Sequence, residues 1–463
     1  MRILLIVYDN DSYIHTFPQG IAYISSALLN AGHTVDIYSQ DIHHYPEEHL
    51  TAHIEAGNYD VVGLSFIGGY YQYRKAIKIS EAVNKARKHF KYYILGGHGP
   101  SPEPEFFIRK LNADIVVIGE GEETIVDLMQ ALERGDNLVN VAGIAFRGVF
   151  DIFRNEKRKQ IKDVDLIPWP AYHLFDINYY RLLRQPHCTN SDFVMPILSG
   201  RGCPFRCNFC YRMDEGFRPR SNTSIIEEME YLKAKHGITY IEFTDELLMS
   251  SKQRTIEFCN ELINSGLNLK WSCNGRLNFA SRDVLQRMKE AGCKFINYGI
   301  ESYNDDILKV MNKALTTKQI REGIENTLDA GISPGFNMIF GNIGETREHL
   351  NNSVDFLIEY DDGAQLRTIR PVTPYPGSAL YYKAIEDGLL GGPEDFYENK
   401  HLNSDLLAVN FTPMTDDEFY SCLYDANETL LYNYENRRKQ SIGKQLEGLY
   451  KNKNADFRGF RQT

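Results

Sequence analysis

Short apolar runs alternate with amphipathic stretches along the first part of the chain. Apolar runs at 2–8, 34–38, 61–65, 92–96 and 114–118 have the length of buried strands. The stretches 20–31, 73–90 and 122–134 place apolar residues at helical spacing. Five short strands separated by helices predict an α/β fold with a doubly wound parallel sheet. A second series follows. Strands are expected at 193–198, 240–244, 270–273, 295–300, 335–340 and 366–370, with helices at 224–236, 252–265, 281–291, 317–330 and 345–359. Six βα units fall short of the eight that close a TIM barrel. The resulting division is residues 1–140 for the first sheet, 141–190 as a connector with a possible extra strand at 141–147, 191–385 for a partial barrel, and 386–463 for a mainly helical C-terminal region. Within the last, 416–434 reads as a tyrosine-rich amphipathic helix, serving as a lid over the barrel or as a structural cap. Trp169 and Tyr172 are expected to pack between the domains rather than touch a ligand.

Sheets of this kind bind ligands at the carboxyl ends of their strands. In the first sheet those ends carry Tyr8-Asp9-Asn10, Ser65-Phe66-Ile67-Gly68-Gly69, Gly96-Gly97-His98-Gly99-Pro100 and Gly119-Glu120-Gly121-Glu122. Glycine there lets a bulky or phosphate-bearing ligand approach the backbone closely. None is a G-x-G-x-x-G fingerprint, so nicotinamide binding is not expected. The second series ends in Asp245-Glu246, Asn274-Gly275-Arg276, Glu301-Ser302, Gly341-Asn342 and Thr373-Pro374-Tyr375. Each has a plain structural use such as helix capping, but their recurrence at one end of apolar strands marks a binding face.

Composition narrows the class. At 463 residues the chain supports two or three full cores, and 43% hydrophobic residues suit a globular protein. No run of eighteen apolar residues suggests a membrane span, and the first nine residues turn acidic too soon for a signal peptide. Three of the eight cysteines cluster and the others scatter, which is no disulfide framework and fits a reducing cytoplasm. A net charge of −11 argues against nucleic acid as a partner. The exception is 437–461, where eight basic residues face Glu447 and Asp456; it reads as a solvated tail in preference to a site for an anionic partner.

The most specific feature is Gly202-Cys203-Pro204-Phe205-Arg206-Cys207-Asn208-Phe209-Cys210-Tyr211, with cysteines at C-x3-C-x2-C directly after the strand at 193–198. Three thiolates in one loop suit a cubane iron–sulfur cluster with one open iron. A zinc site needs a fourth ligand, and the nearest candidates, His187 and Cys188, lie at no zinc-ribbon spacing. Zinc and chance clustering remain the plain alternatives.

This stretch resembles the cluster loop of radical S-adenosylmethionine (SAM) enzymes. The resemblance implies that Cys203, Cys207 and Cys210 hold a [4Fe–4S] cluster whose open iron binds SAM, and that an electron from a donor such as flavodoxin or ferredoxin cleaves SAM to a 5′-deoxyadenosyl radical. It also implies SAM contacts: Phe209 beside the adenine, Gly341 giving the adenine room with Ile339 beneath it, and Glu246 on the amino group. Arg276 would grip the carboxylate, and Glu301 with Ser302 the ribose or methionine end. The family's Gly-Gly-Glu is absent at the second strand, where Thr244-Asp245-Glu246 stands instead.

The first domain resembles the cobalamin-binding domain fused ahead of many such enzymes, through Phe17-Pro18-Gln19-Gly20, Ala31-Gly32-His33-Thr34-Val35, Val62-Gly63-Leu64-Ser65, Gly96-Gly97-His98-Gly99-Pro100 and Gly119-Glu120-Gly121-Glu122. The implied cobalamin contacts are Gln19, Gly20, Ser65, Gly97, His98, Gly99, Gly119 and Gly121. The D-x-H-x-x-G motif that puts a histidine under cobalt is missing; Asp11 and His15 have the wrong spacing. A sheet that binds nothing is the alternative. The resemblance as a whole implies C-methylation of an unactivated carbon in a small-molecule or lipid substrate. A radical oxidative cyclase, dehydratase or rearrangement enzyme, and an iron–sulfur or cobalamin sensor, are the rivals. A tRNA methylthiotransferase is disfavoured, since that family carries three further N-terminal cysteines and the first here is Cys188. No general base is evident.

Overall fold

The computed structural model describes residues 1–11, 16–183, 185, 187–363 and 365–455. His15 and the tail residues Asp456, Arg458 and Arg461 lie outside the described residues.

The first sheet holds seven strands: β1 Arg2–Val7, β2 Thr34–Ser39, β3 Val61–Ser65, β4 Tyr92–Gly96, β5 Ile115–Val117, β6 Ile144–Arg147 and β7 Ile152–Arg154, in the order β2-β1-β3-β4-β5-β6-β7. The first five are parallel; β6 and β7 are antiparallel, so the sheet runs on into the expected connector. β1 is buried at every position after Arg2, because helices cover both faces of a parallel sheet and leave no polar side. Chain order reverses between β1 and β3, and that switch point opens a crevice at the strand ends.

The second sheet is fully parallel. Its six strands, β8 Val194–Ile197, β11 Tyr240–Phe243, β12 Lys270–Gly275, β13 Cys293–Glu301, β14 Ser333–Phe340 and β15 Ile369–Pro371, lie in the order β15-β14-β13-β12-β11-β8. They form the expected open partial barrel. Between β8 and β11, a two-residue antiparallel pair, β9 Gly200–Arg201 with β10 Arg218–Pro219, frames the cysteine loop.

Trp169 and Tyr172 pack where expected. The Tyr172 ring stacks on Phe17 and its hydroxyl donates to Glu228 at 2.7 Å, while Trp169 meets Tyr231. Residues 381–409 add Tyr381, Phe396 and Tyr397 to the core under the first sheet. The C-terminal helix is Asp416–Leu446, longer than its apolar pattern predicts; Phe419, Cys422, Leu423 and Leu430 seat it on the barrel beside β14 and β15. It caps the open edge. The basic segment expected as a solvated tail is helical from Arg437 to Leu446.

Candidate functional site

The carboxyl ends of both sheets face one cavity of about 740 Å³. One wall carries Gln19, Gly20, Ser65, Gly97, His98, Gly119 and Gly121; the opposite wall carries Cys203, Cys207, Cys210, Phe209, Glu246, Arg276 and Glu301. Fourteen side chains or glycines singled out from sequence therefore meet in one space. Four others stand behind it: Gly99, Ser302, Ile339 and Gly341 do not line it.

Local packing sets the position of each of the four. A Cβ on Gly99 would stand 2.7 Å from the Phe66 ring, so this glycine exists for packing under the β4 turn. Ser302 is fully buried; its hydroxyl donates to Glu345 Oε1 at 3.3 Å and accepts from Asn304 at 3.1 Å. Gly341 has φ +103°, and a Cβ would meet Phe419 at 2.8 Å. Ile339 lies on the strand just below it. Glu345 draws this region together: its Oε2 accepts from the backbone N–H of Gly341 at 2.8 Å and of Asn342 at 3.0 Å. Burial pushes the Glu345 carboxyl up to about 7, against those hydrogen bonds.

That turn reaches the cysteine loop. Asn342 and Asn208 exchange two side-chain hydrogen bonds of 3.0 Å each, and the Asn208 N–H donates to Met311 at 2.9 Å. Sequence reading missed Asn208 and Asn342, since nothing in the spacing pairs residues so far apart.

Arg276, on the cavity wall, also has structural partners. Its Nη2 donates to the carbonyls of Lys313 at 2.5 Å and Ala314 at 3.2 Å, its Nε to Asn278 at 3.3 Å, and its guanidinium lies 3.5 Å from the centre of the Phe205 ring. Burial lowers its pKa, opposed by the neighbouring Cys207 and Cys203. These bonds engage Nε and Nη2 and hold the guanidinium beside the cysteine loop. Glu301, at φ +71° where β13 bulges against β14, pairs with Lys313 at 2.8 Å. Glu246 is exposed to the cavity, whereas its neighbour Asp245 is buried and accepts from the Ser199 N–H at 2.6 Å and hydroxyl at 2.7 Å. Burial raises Asp245 to about 6. Asp245 is thus a brace at the start of the cysteine loop.

The two walls are clasped by charge. Arg201 donates to Glu120 at 3.2 Å and Glu122 at 2.5 Å, and Arg218 reaches both Glu120 oxygens at 2.8 and 2.9 Å. The Glu120 side chain is only 7% exposed. The acidic residues of Gly119-Glu120-Gly121-Glu122 therefore hold the first sheet to the hairpin around the cysteines, while the glycines face the cavity.

The residues present fit the groups that the motifs imply. Gln19 Oε1 accepts from the Thr244 hydroxyl at 2.7 Å, and its buried Nε2 has no partner among the described residues. Gly97 lines the cavity at φ +95°, and a Cβ there would fall 2.6 Å from the Phe66 carbonyl and 2.7 Å from the Ser65 hydroxyl, so the strand end can take this path only with glycine. On the facing wall three free cysteines stand in one loop. Among the described residues no group of three His, Cys, Asp or Glu could hold a single metal ion; a cubane spreads three thiolates over three irons. Half-burial raises the Cys203 thiol, as do Cys207 and Glu246 beside it. Ligation would take its proton.

Comparison with known proteins gives the same two units. A model of the radical SAM superfamily matches residues 197–357, and a B12 binding domain model matches residues 6–129. The chain is 30% identical over 402 residues to an uncharacterized methyltransferase of Pyrococcus horikoshii, covering 84% of each. It is 29% identical to the anaerobic magnesium-protoporphyrin IX monomethyl ester cyclase of Cereibacter sphaeroides, covering 79% of this chain and 60% of that protein. It is 25% identical to the bacteriochlorophyllide d C-8(2)-methyltransferase of Chlorobaculum tepidum, covering 83% of this chain and 82% of that one. In fold it resembles the radical SAM methyltransferase TsrM of Kitasatospora setae, solved with cobalamin and a [4Fe–4S] cluster, with a TM-score of 0.74 over 92% of this chain and 88% of that one at 17% identity.

Proposed function

The chain belongs to the radical SAM superfamily, with a B12-binding domain ahead of the radical SAM domain, and from that premise we propose that it methylates an unactivated carbon of a small-molecule or lipid substrate. Its cofactors are SAM, a [4Fe–4S] cluster and cobalamin. When bound, the cluster supplies the electron that cleaves SAM to a 5′-deoxyadenosyl radical, and cobalamin supplies a methyl carrier.

One observation carries the reading: a single cavity is lined by the glycine-rich strand ends of the first sheet and by all three clustered cysteines. In this proposal Cys203, Cys207 and Cys210 hold the cluster, with Asn208 and Arg276 fixing their loop. Phe209, Glu246 and Glu301 face SAM, and Lys313 neutralises Glu301. Gln19, Ser65, Gly97, His98, Gly119 and Gly121 receive cobalamin, Gln19 offering its unused N–H. The protein's share of catalysis is to hold the reactive groups close together and away from water; the chemistry resides in the cofactors. The electron would come from a flavodoxin- or ferredoxin-type donor.

The similarity to the magnesium-protoporphyrin cyclase supports a second reading, radical oxidation without methyl transfer. The two differ in their by-products. Anaerobically reconstituted protein turning over SAM with a reductant and cell extract as substrate source should yield both 5′-deoxyadenosine and S-adenosylhomocysteine if it methylates. 5′-Deoxyadenosine alone would favour the oxidative reading.

A further inference from the structure

The C-terminal helix Asp416–Leu446 has two apolar faces. Phe419, Cys422, Leu423, Ala426 and Leu430 are buried on the barrel. On the other side Tyr420, Tyr424, Leu431, Tyr432, Ile442 and Leu446 are exposed, Tyr424 by 64% and Tyr432 by 62%. At about 100° per residue those six fall within an arc of about 120°, facing away from the buried face. The arc holds two apolar patches, 420–432 and 442–446, with Glu435, Arg438 and Lys439 between them on the same face.

The helix also outruns its support. Arg437 makes a last tie, to Asp361 at 3.3 Å, and every residue from 436 to 447 is exposed. Helices hold together mainly through packing of an apolar face, and a lone segment of about twelve residues is marginal in water. This end carries Ile442 and Leu446, 43% and 42% exposed among the described residues.

Charge says what covers it. Every acidic residue of the helix (Asp416, Asp417, Glu418, Asp425, Glu428 and Glu435) precedes every basic one (Arg437, Arg438, Lys439 and Lys444). Reversed, such a helix sets its acidic half against the basic half of its mate; Glu435, which meets its own copy at the axis of such a pair, is paired within its chain to Arg438 at 3.8 Å. With a twofold axis close to Glu435, Tyr424 of one copy lies opposite Leu446 of the other, and Glu428 lies between Lys439 and Lys444. That end of each helix covers the first apolar patch of its mate. We propose that this helix is an isologous dimer interface, in which two copies of the chain pair their C-terminal helices antiparallel.

The test is the mass of the full-length, cofactor-loaded protein by anaerobic size-exclusion chromatography with light scattering. The expected mass is twice the 53.3 kDa of one chain. Tyr424→Glu with Leu446→Glu should halve it, with far-UV circular dichroism and iron content unchanged. Glu428→Lys should weaken the dimer, and adding Lys439→Glu and Lys444→Glu should restore it. A monomer at every concentration up to the solubility limit would overturn the proposal, as would a dimer indifferent to the Tyr424 and Leu446 changes. A monomer that sediments with vesicles of anionic phospholipid through this helix would overturn it in favour of a membrane surface.

Discussion

Asn208, in the middle of the cysteine loop, and Asn342, in the turn after β14, exchange two side-chain hydrogen bonds of 3.0 Å. Through Asn342 the loop is tied to Glu345, and through Glu345 to Ser302, so the ends of two barrel strands fix where the cysteines stand. Asn342→Ala removes both of these bonds and leaves the Asn208 amide only the Val310 carbonyl at 3.2 Å, a loss of about 1 kcal/mol per bond in local order. The expected result is less iron per chain after reconstitution and desalting, with unchanged far-UV circular dichroism. Full iron retention would mean that the cysteines order their loop unaided.

Alanine at Cys203, Cys207 or Cys210 should abolish production of 5′-deoxyadenosine from SAM while leaving the fold intact. Thermal unfolding of the iron-free protein checks the fold. Retained cleavage in any of the three would remove that cysteine from the cluster.

Arg276 separates positioning from ligand binding. Its guanidinium serves the carbonyls of Lys313 and Ala314 and the face of Phe205, and lysine cannot reproduce that planar fork. Arg276→Lys should lower the iron content, with SAM binding falling only in proportion to the cluster present. An affinity for SAM lowered about tenfold, roughly 1.4 kcal/mol, at full iron content would instead give Arg276 the carboxylate of SAM.

Gly97 tests the facing wall. Alanine there would put a Cβ against the Phe66 carbonyl and the Ser65 hydroxyl at a φ of +95°. Strain of about 1–2 kcal/mol is expected from the backbone alone, and relieving the clash would shift Ser65 and Phe66, which line the cavity. Gly97→Ala should bind hydroxocobalamin less tightly while its iron content stays normal, measured by the visible spectrum after desalting.

Glu345 gives a pH dependence. Burial raises its carboxyl from 4.5 to about 7, so the folded protein favours the protonated form. A raised folded-state value on an acid means stability is highest below the ordinary carboxylate range and is lost as pH rises toward about 7. Glu345→Gln keeps an oxygen for the N–H groups of Gly341 and Asn342 and removes the titration. The fall in melting temperature between about pH 5 and pH 8 should be shallower in this variant; an identical slope would show that Glu345 does not contribute.

How much of this was legible depends on the range of the interaction. Strands such as β3 and β4 follow from local apolar runs, and their observed bounds, Val61–Ser65 and Tyr92–Gly96, match the expectation. The cysteine loop and the glycine-rich strand ends were readable because each is contiguous. That Ser302, Ile339 and Gly341 do not line the cavity was not legible, because a strand end offers both a cavity side and a packing side, and only the fold decides which way each residue faces. The clasp of Arg201 and Arg218 on Glu120 and Glu122 was invisible because it joins residues about eighty to a hundred apart in sequence. The long C-terminal helix exceeded its predicted end because its last turns lack the buried stripe that marks a helix by period.

The most direct test of the account is cobalamin binding by the reconstituted protein. The cluster would be rebuilt anaerobically, hydroxocobalamin added, the protein desalted, and the visible spectrum recorded beside the iron count. The account predicts close to one cobalamin per chain, with a spectrum lacking a nitrogen ligand below cobalt, together with a full cluster. A full cluster with no retained cobalamin would contradict it, and would reduce the first sheet to a scaffold for a cobalamin-free radical reaction.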